Sequence, residues 1–189
     1  MSSIVLLPLG DANRKVTADL RVPLEQAFQI PVEIKESDLN LEAFYDEQRV
    51  QYNSTAIISH LQENASYRNP PRERKGGGAK FLAVTSEDLF IPILTYVFGE
   101  AQLGGTFSVV SYHRLSTERY GLPPDEQLFH SRLVKECTHE LGHVFGLIHC
   151  SSQDCVMHTS TYVEDIDIKG ERFCMSCGRE LHQKKRRRV

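Results

Sequence analysis

The chain has 189 residues, 40% of them apolar and 25% charged, an ordinary composition for one soluble globular domain that needs no cross-links to hold its core. Lys184, Lys185, Arg186, Arg187 and Arg188 put five positive charges at the C-terminus; without them the net of −3 becomes about −8, and so mildly acidic a body argues against nucleic acid as the main partner. No apolar run approaches membrane-spanning length, and no N-terminal stretch has the form of a signal peptide, so a cytoplasmic location with reduced thiols is expected.

Ile4 to Leu9 is an apolar run closed by Gly10-Asp11 and reads as a buried strand and turn. Arg14 to Phe28 has near-helical spacing at Val16, Leu20, Leu24, Ala27 and Phe28, although Pro23 requires a kink or a start near that proline. Ile30 to Ile34 alternates as a short strand, and Arg49 to Ala65 reads as a helix through Val50, Ala56, Ile57, Ile58 and Leu61. Asn69 to Gly78, with two prolines and a triple glycine, reads as an exposed flexible loop. Lys80 to Thr85, Thr95 to Phe98 and Thr106 to Tyr112 read as strands, the last two joined by a glycine-rich loop. Pro123-Pro124-Asp125 opens a long amphipathic helix through Leu128, Phe129, Leu133, Val134, Cys137, Leu141, Val144 and Phe145, which stops at Gly146. The cysteine-rich remainder shows little periodicity.

The long helix carries His139-Glu140-Leu141-Gly142-His143. Positions four apart lie about 40° apart around a helix and about 6 Å along it, so the two imidazoles can meet one ion at about 2.0–2.1 Å. Glu140, about 100° further round, flanks that ion without having to ligate it, where a general base belongs. His149 is the candidate third ligand. In a continued helix it would lie about 9 Å beyond His143 and point elsewhere. Gly146, which tolerates positive φ, lets the chain turn so that His149 returns to the metal. The pentapeptide alone recurs by chance, but five defined residues in eleven positions make H-E-x-x-H-x-x-G-x-x-H far more specific.

Cys150 and Cys155 have four residues between them, and Cys174 and Cys177 form C-x-x-C. Two such pairs suit a closed, structural four-cysteine zinc site, with disulfides or free thiols as the competing readings that a reducing compartment disfavours. Because Cys150 follows His149 directly, anchoring Cys150 and Cys155 would also steady the backbone that presents His149. Cys137 reads as a small buried hydrophobe.

The run His139, Glu140, His143, Gly146, His149 and then Met157 resembles the metzincin pattern. With Cys150, Cys155, Cys174 and Cys177 interlaced, residues 139 to 177 closely resemble the archaemetzincins. The resemblance implies a metzincin-like α+β or α/β fold: a twisted mixed sheet with backing helices and a zinc-binding active-site helix, over a small irregular, zinc-stabilised C-terminal subdomain. Residues 1–146 would form the upper part and residues 147–189 the lower. It makes Met157 the turn beneath the metal, a residue that spacing alone reads as ordinary core. Several metzincins carry a tyrosine two residues after that methionine; here the position is Thr159, while Tyr162 either reaches in or serves packing. Metzincins are also similar in binding peptide along an edge strand, for which Thr106 to Ser111 is the candidate beside Gly104 and Gly105, with a plain buried strand as the competing reading.

Together these readings imply a zinc metallopeptidase with two zinc ions per chain, one catalytic on His139, His143 and His149 and one structural on Cys150, Cys155, Cys174 and Cys177. Zinc would activate water and polarise the carbonyl of a peptide or protein substrate, with Glu140 as proton carrier. Some archaemetzincins are regarded as aminopeptidases. The competing class is a zinc-stabilised peptide- or protein-binding module with a silent site, which the intact Glu140 disfavours. A third reading takes the basic tail as a nucleic-acid arm, although such runs are more often solvated.

Overall fold

Alternation along the strands builds two cores, one on each face of a single sheet. The structure is a computed structural model that describes residues 3–64 and 78–187. In chain order it contains β1 (Ile4–Leu9), α1 (Arg14–Asp19), α2 (Arg21–Phe28), β2 (Val32–Ile34), β3 (Tyr45–Asp46), β4 (Gln51–Asn53) and α3 (Ser54–Glu63). There follow β5 (Lys80–Thr85), β6 (Leu89–Phe90), β7 (Gly99–Ala101), β8 (Phe107–Ser111), α4 (Glu126–Val144), α5 (Val163–Ile168) and α6 (Met175–Arg187). The main sheet has the order β2-β1-β5-β8-β7, parallel except for β7, which pairs antiparallel with β8 at one edge. A second, small sheet has the order β3-β4-β6.

Ile4 and Leu6 of β1, with Leu82, Val84 and Val110, face Leu24 and Phe28 of α2 and Leu133, Cys137 and Leu141 of α4. Val5, Leu7 and Leu9, with Phe81, Ala83 and Val109, face Ile57, Ile58 and Leu61 of α3. Strands buried on both faces read as continuous apolar runs, which is why β1 and β5 are visible in the sequence. The mixed sheet with backing helices is the architecture expected. Cys137 is fully buried, as a small hydrophobe should be.

Arg14 to Phe28 is two helices that break at Leu20, so the second starts near Pro23, one of the two expected outcomes; Pro23 falls in the first turn of α2, where its missing N–H leaves no bond unmade. Other elements differ from expectation. The expected helix from Arg49 begins only at Ser54, because Asn53 caps it by accepting from Ala56 N–H, and Gln51–Asn53 is strand. Thr95 to Phe98 contributes a single bridge, Leu89 to Val97, and the strand lies just beyond it in β7. The expected edge strand 106–111 is interior, paired on both sides, and the edge is β7. The C-terminal part is more regular than its periodicity implies, with two helices. The basic run begins inside α6, where Lys185 Nζ donates to Phe28 O at 2.5 Å and Lys184 pairs with Glu180, so its first residues belong to the packed fold. The expected loop Asn69–Gly78 lies outside the described residues apart from Gly78. No helix among the described residues is long and apolar enough to cross a membrane.

Candidate metal centres

Helix α4 packs against β7 and β8 with its C-terminal half beneath the sheet edge. Asp125 caps its start, accepting from Leu128 N–H at 2.9 Å. Its end is a Schellman turn: Leu147 N–H donates to Gly142 O at 2.9 Å and Gly146 N–H to His143 O at 2.8 Å, with Gly146 at φ +97°. A side chain at that φ would be strained, so glycine is required for the turn. The chain then doubles back and brings His149 to the helix. Its ring centroid lies 5.2 Å from that of His139 and 4.8 Å from that of His143, and His139 and His143 are 4.6 Å apart. The three residues offer ligand atoms all within 4.8 Å of one another, so the structure brings together the trio expected from spacing.

The orientation of two of these rings is built in. Nδ1 of His139 lies 2.8 Å from Val156 O, and Nδ1 of His143 lies 2.8 Å from Leu147 O. A carbonyl accepts only, so each Nδ1 carries the proton and each Nε2 presents a lone pair. Those two Nε2 atoms face each other at 3.0 Å. Burial, foremost among the causes, holds all three imidazoles below their ordinary pKa, which favours the neutral form. Two lone pairs at that separation repel unless a cation lies between them, and tetrahedral zinc–nitrogen bonds of about 2.0–2.1 Å set a nitrogen separation of about 3.3 Å. The donor set fits zinc.

Glu140 lies beside the trio, 6% exposed. Burial pushes its carboxyl well above the usual carboxylate range, Glu136 and Glu100 add to that, and Lys169 opposes it. A neighbouring dication would pull it back down. Two glycines make room here. A Cβ on Gly99 of the edge strand would stand 2.6 Å from Cγ of Glu140 and 2.9 Å from Val109 O. A Cβ on Gly142 would overlap Met157 Sδ, so the fully buried methionine presses directly against the backbone of α4. Tyr162 is 63% exposed, which favours its surface reading.

The second cluster is Cys150, Cys155, Cys174 and Cys177, whose sulfurs also lie within 4.8 Å of one another and form no disulfides. Cys150 Sγ and Cys174 Sγ are 3.9 Å apart, near the separation of about 3.8 Å that tetrahedral zinc–sulfur bonds of about 2.3 Å would set. Cys174 N–H donates to Cys155 Sγ at 3.4 Å. This cluster also fits zinc.

Residues 11–183 match the family model of Peptidase family M54. The chain belongs to the archaemetzincins of that family. It is 34% identical to the archaemetzincin of Methanocaldococcus jannaschii over 96% of this chain and 93% of that one. The crystal structure of the Archaeoglobus fulgidus archaemetzincin complexed with malonate is similar at a TM-score of 0.76 and 37% identity, covering 94% of this chain and 99% of that chain. The zinc-dependent peptidase of Methanocorpusculum labreanum is similar at a TM-score of 0.80 and 27% identity, with 94% and 99% covered. Family membership makes the chain a zinc metallopeptidase, a hydrolase acting on peptides or proteins, and does not favour the silent binding module.

Proposed function

We propose that the chain hydrolyses peptide bonds at a zinc ion held by His139, His143 and His149, with Glu140 as the proton carrier. A second, structural zinc sits on Cys150, Cys155, Cys174 and Cys177. The observation that carries this reading is the pair of Nε2 lone pairs opposed at 3.0 Å beside a buried glutamate. Zinc at this position supplies Lewis acidity, which makes a bound water acidic and polarises the scissile carbonyl.

The other roles fall to the chain's own side chains and backbone. Val156 O and Leu147 O fix the tautomers of His139 and His143, so their Nε2 atoms are ready as ligands. Glu140 takes a proton from the attacking water and returns it to the departing amine. Gly99 leaves the space that the Glu140 side chain occupies. Along β7, Ser111 N–H donates to Phe98 O and Gln102 N–H to Phe107 O, so the even-numbered residues turn their backbone groups into the sheet. By the two-residue period, those of Gly99 and Ala101 turn toward the open edge. An extended substrate adds there as a further strand, directly above the histidines. Division of the chain at Gly146, into an upper part of residues 1–146 and a lower part of residues 147–189, follows from the same reading.

The test is digestion of a mixed peptide library by zinc-loaded and metal-stripped protein. Zinc-dependent cleavage is expected, and the cut positions separate end-trimming, as in an aminopeptidase, from internal cleavage. A zinc-loaded chain that leaves every peptide intact would count against the reading.

A further inference from the structure

The metal-binding face of α4 continues past His139 toward the start of the helix. Arg132, Lys135 and Glu136 precede His139 by seven, four and three residues and share its face. All three are buried. Buried charges are unfavourable unless paired, and each of these finds its partner on α5 or the residue that ends it. Arg132 holds both carboxylate oxygens of Asp167 at 2.7 Å. Lys135 Nζ donates to Ile166 O at 2.9 Å and to Asp167 O at 3.2 Å. Lys169 Nζ donates to Glu136 Oε1 at 2.6 Å, and the two side chains are 0% and 4% exposed.

From Lys169 the chain runs beside the stretch that carries Cys155 and Met157. Gly170 N–H donates to Gln153 O at 3.3 Å, and Val156 N–H donates to Arg172 O at 2.9 Å. Val156 O is the acceptor for Nδ1 of His139. The contacts therefore close a ring: Glu136, Lys169, residues 170–172, Val156 and His139, which lies within one turn of Glu136 on the same helix. A buried ion pair can often be replaced by apolar side chains without loss of stability, so stability alone does not account for this one. Its place in the ring does.

We infer that Lys169 is a positioning residue for the histidine metal site: its bond to Glu136 sets the Val156 carbonyl at the point on α4 where it fixes the ring orientation and tautomer of His139. This rests on the reading of His139 as a metal ligand. The Lys169 ammonium donates to Glu136, and the residue acts on His139 through the 170–172 stretch and Val156.

Lys169→Met and the double variant Glu136→Met/Lys169→Met test the inference. The double variant buries no unpaired charge and is expected to melt near the wild-type temperature, so it decides the matter even where the single variant fails to fold. Zinc stoichiometry, zinc affinity by chelator competition and the ring N–H resonance of His139 are measured on each folded protein. The expected result is retention of the four-cysteine zinc, a histidine-site affinity weaker by about tenfold or more, and a shifted or exchange-broadened His139 Nδ1–H resonance. A folded double variant with wild-type affinity and an unmoved resonance overturns the role of Lys169. Wild-type protein that binds as many zinc ions as its His139→Ala variant would overturn the histidine site itself, and the Lys169 role with it; the two failures are told apart by the wild-type loading.

Discussion

Single residues at this site are selected by what will not fit beside them as much as by what they donate. At Gly99 the added methyl of alanine would meet Cγ of Glu140 and the fixed carbonyl of Val109, so it is the glutamate that must shift. Gly99→Ala is expected to keep both zinc ions and lose activity by roughly 100-fold, the scale of a displacement of about 1 Å in a reacting group. Peptide turnover together with metal content checks this; full turnover would mean that Glu140 has room to spare. Gly146 was legible in the sequence because helix geometry poses a problem that only a turn solves: without it His149 cannot reach the ion. Gly99 and Gly142 pose no such problem in the sequence. Their constraint comes from Glu140 and Met157, which only the fold brings against them. The Lys169–Glu136 tie did leave a trace, since charged residues at 132, 135 and 136 lie on the helix face that must be covered if His139 is to be buried.

At the scale of elements, the long, uniformly apolar or strongly periodic segments were legible: β1, β5 and α4 follow from their own side chains. The edge strand did not, because Gly-Glu-Ala has no β propensity and is a strand only because β8 lies beside it, whereas the more β-prone Thr95–Phe98 next to it makes a single bridge. Helix α6 was hidden by its polarity, with Cys177 and Leu181 as its buried apolar positions. The segment joining the two candidate metal centres gives a reason to expect them to respond together. Val156 stands between Cys155 and Met157 and orients His139, while Cys150 N–H donates to Met157 O at 2.9 Å. Cys155→Ser should therefore remove the cysteine-bound zinc and also weaken the histidine site by about tenfold, the usual effect of disturbing the support of a ligand. Metal counting and chelator competition on the variant check this; loss of one zinc with the other held at wild-type affinity would separate the two centres.

For the molecule as a whole, the parts that carry the chemistry come from distant stretches of chain that share one core. Val156, Met157 and Leu181 pack in the same cluster as Leu6 of β1 and Leu141 of α4, so the C-terminal segment is built onto the sheet that supports the active-site helix. The proposed function takes the sheet edge, the histidine trio and the four-cysteine cluster as one arrangement for an extended peptide. It gives the metal to the histidines and the proton transfer to Glu140, and the two roles separate in a single variant. Glu140→Ala, assayed for bound zinc and for cleavage of a peptide that the zinc-loaded wild type cuts, should retain two zinc ions per chain and lose turnover by at least about 1,000-fold. A variant that keeps its zinc and cleaves at the wild-type rate would contradict the account.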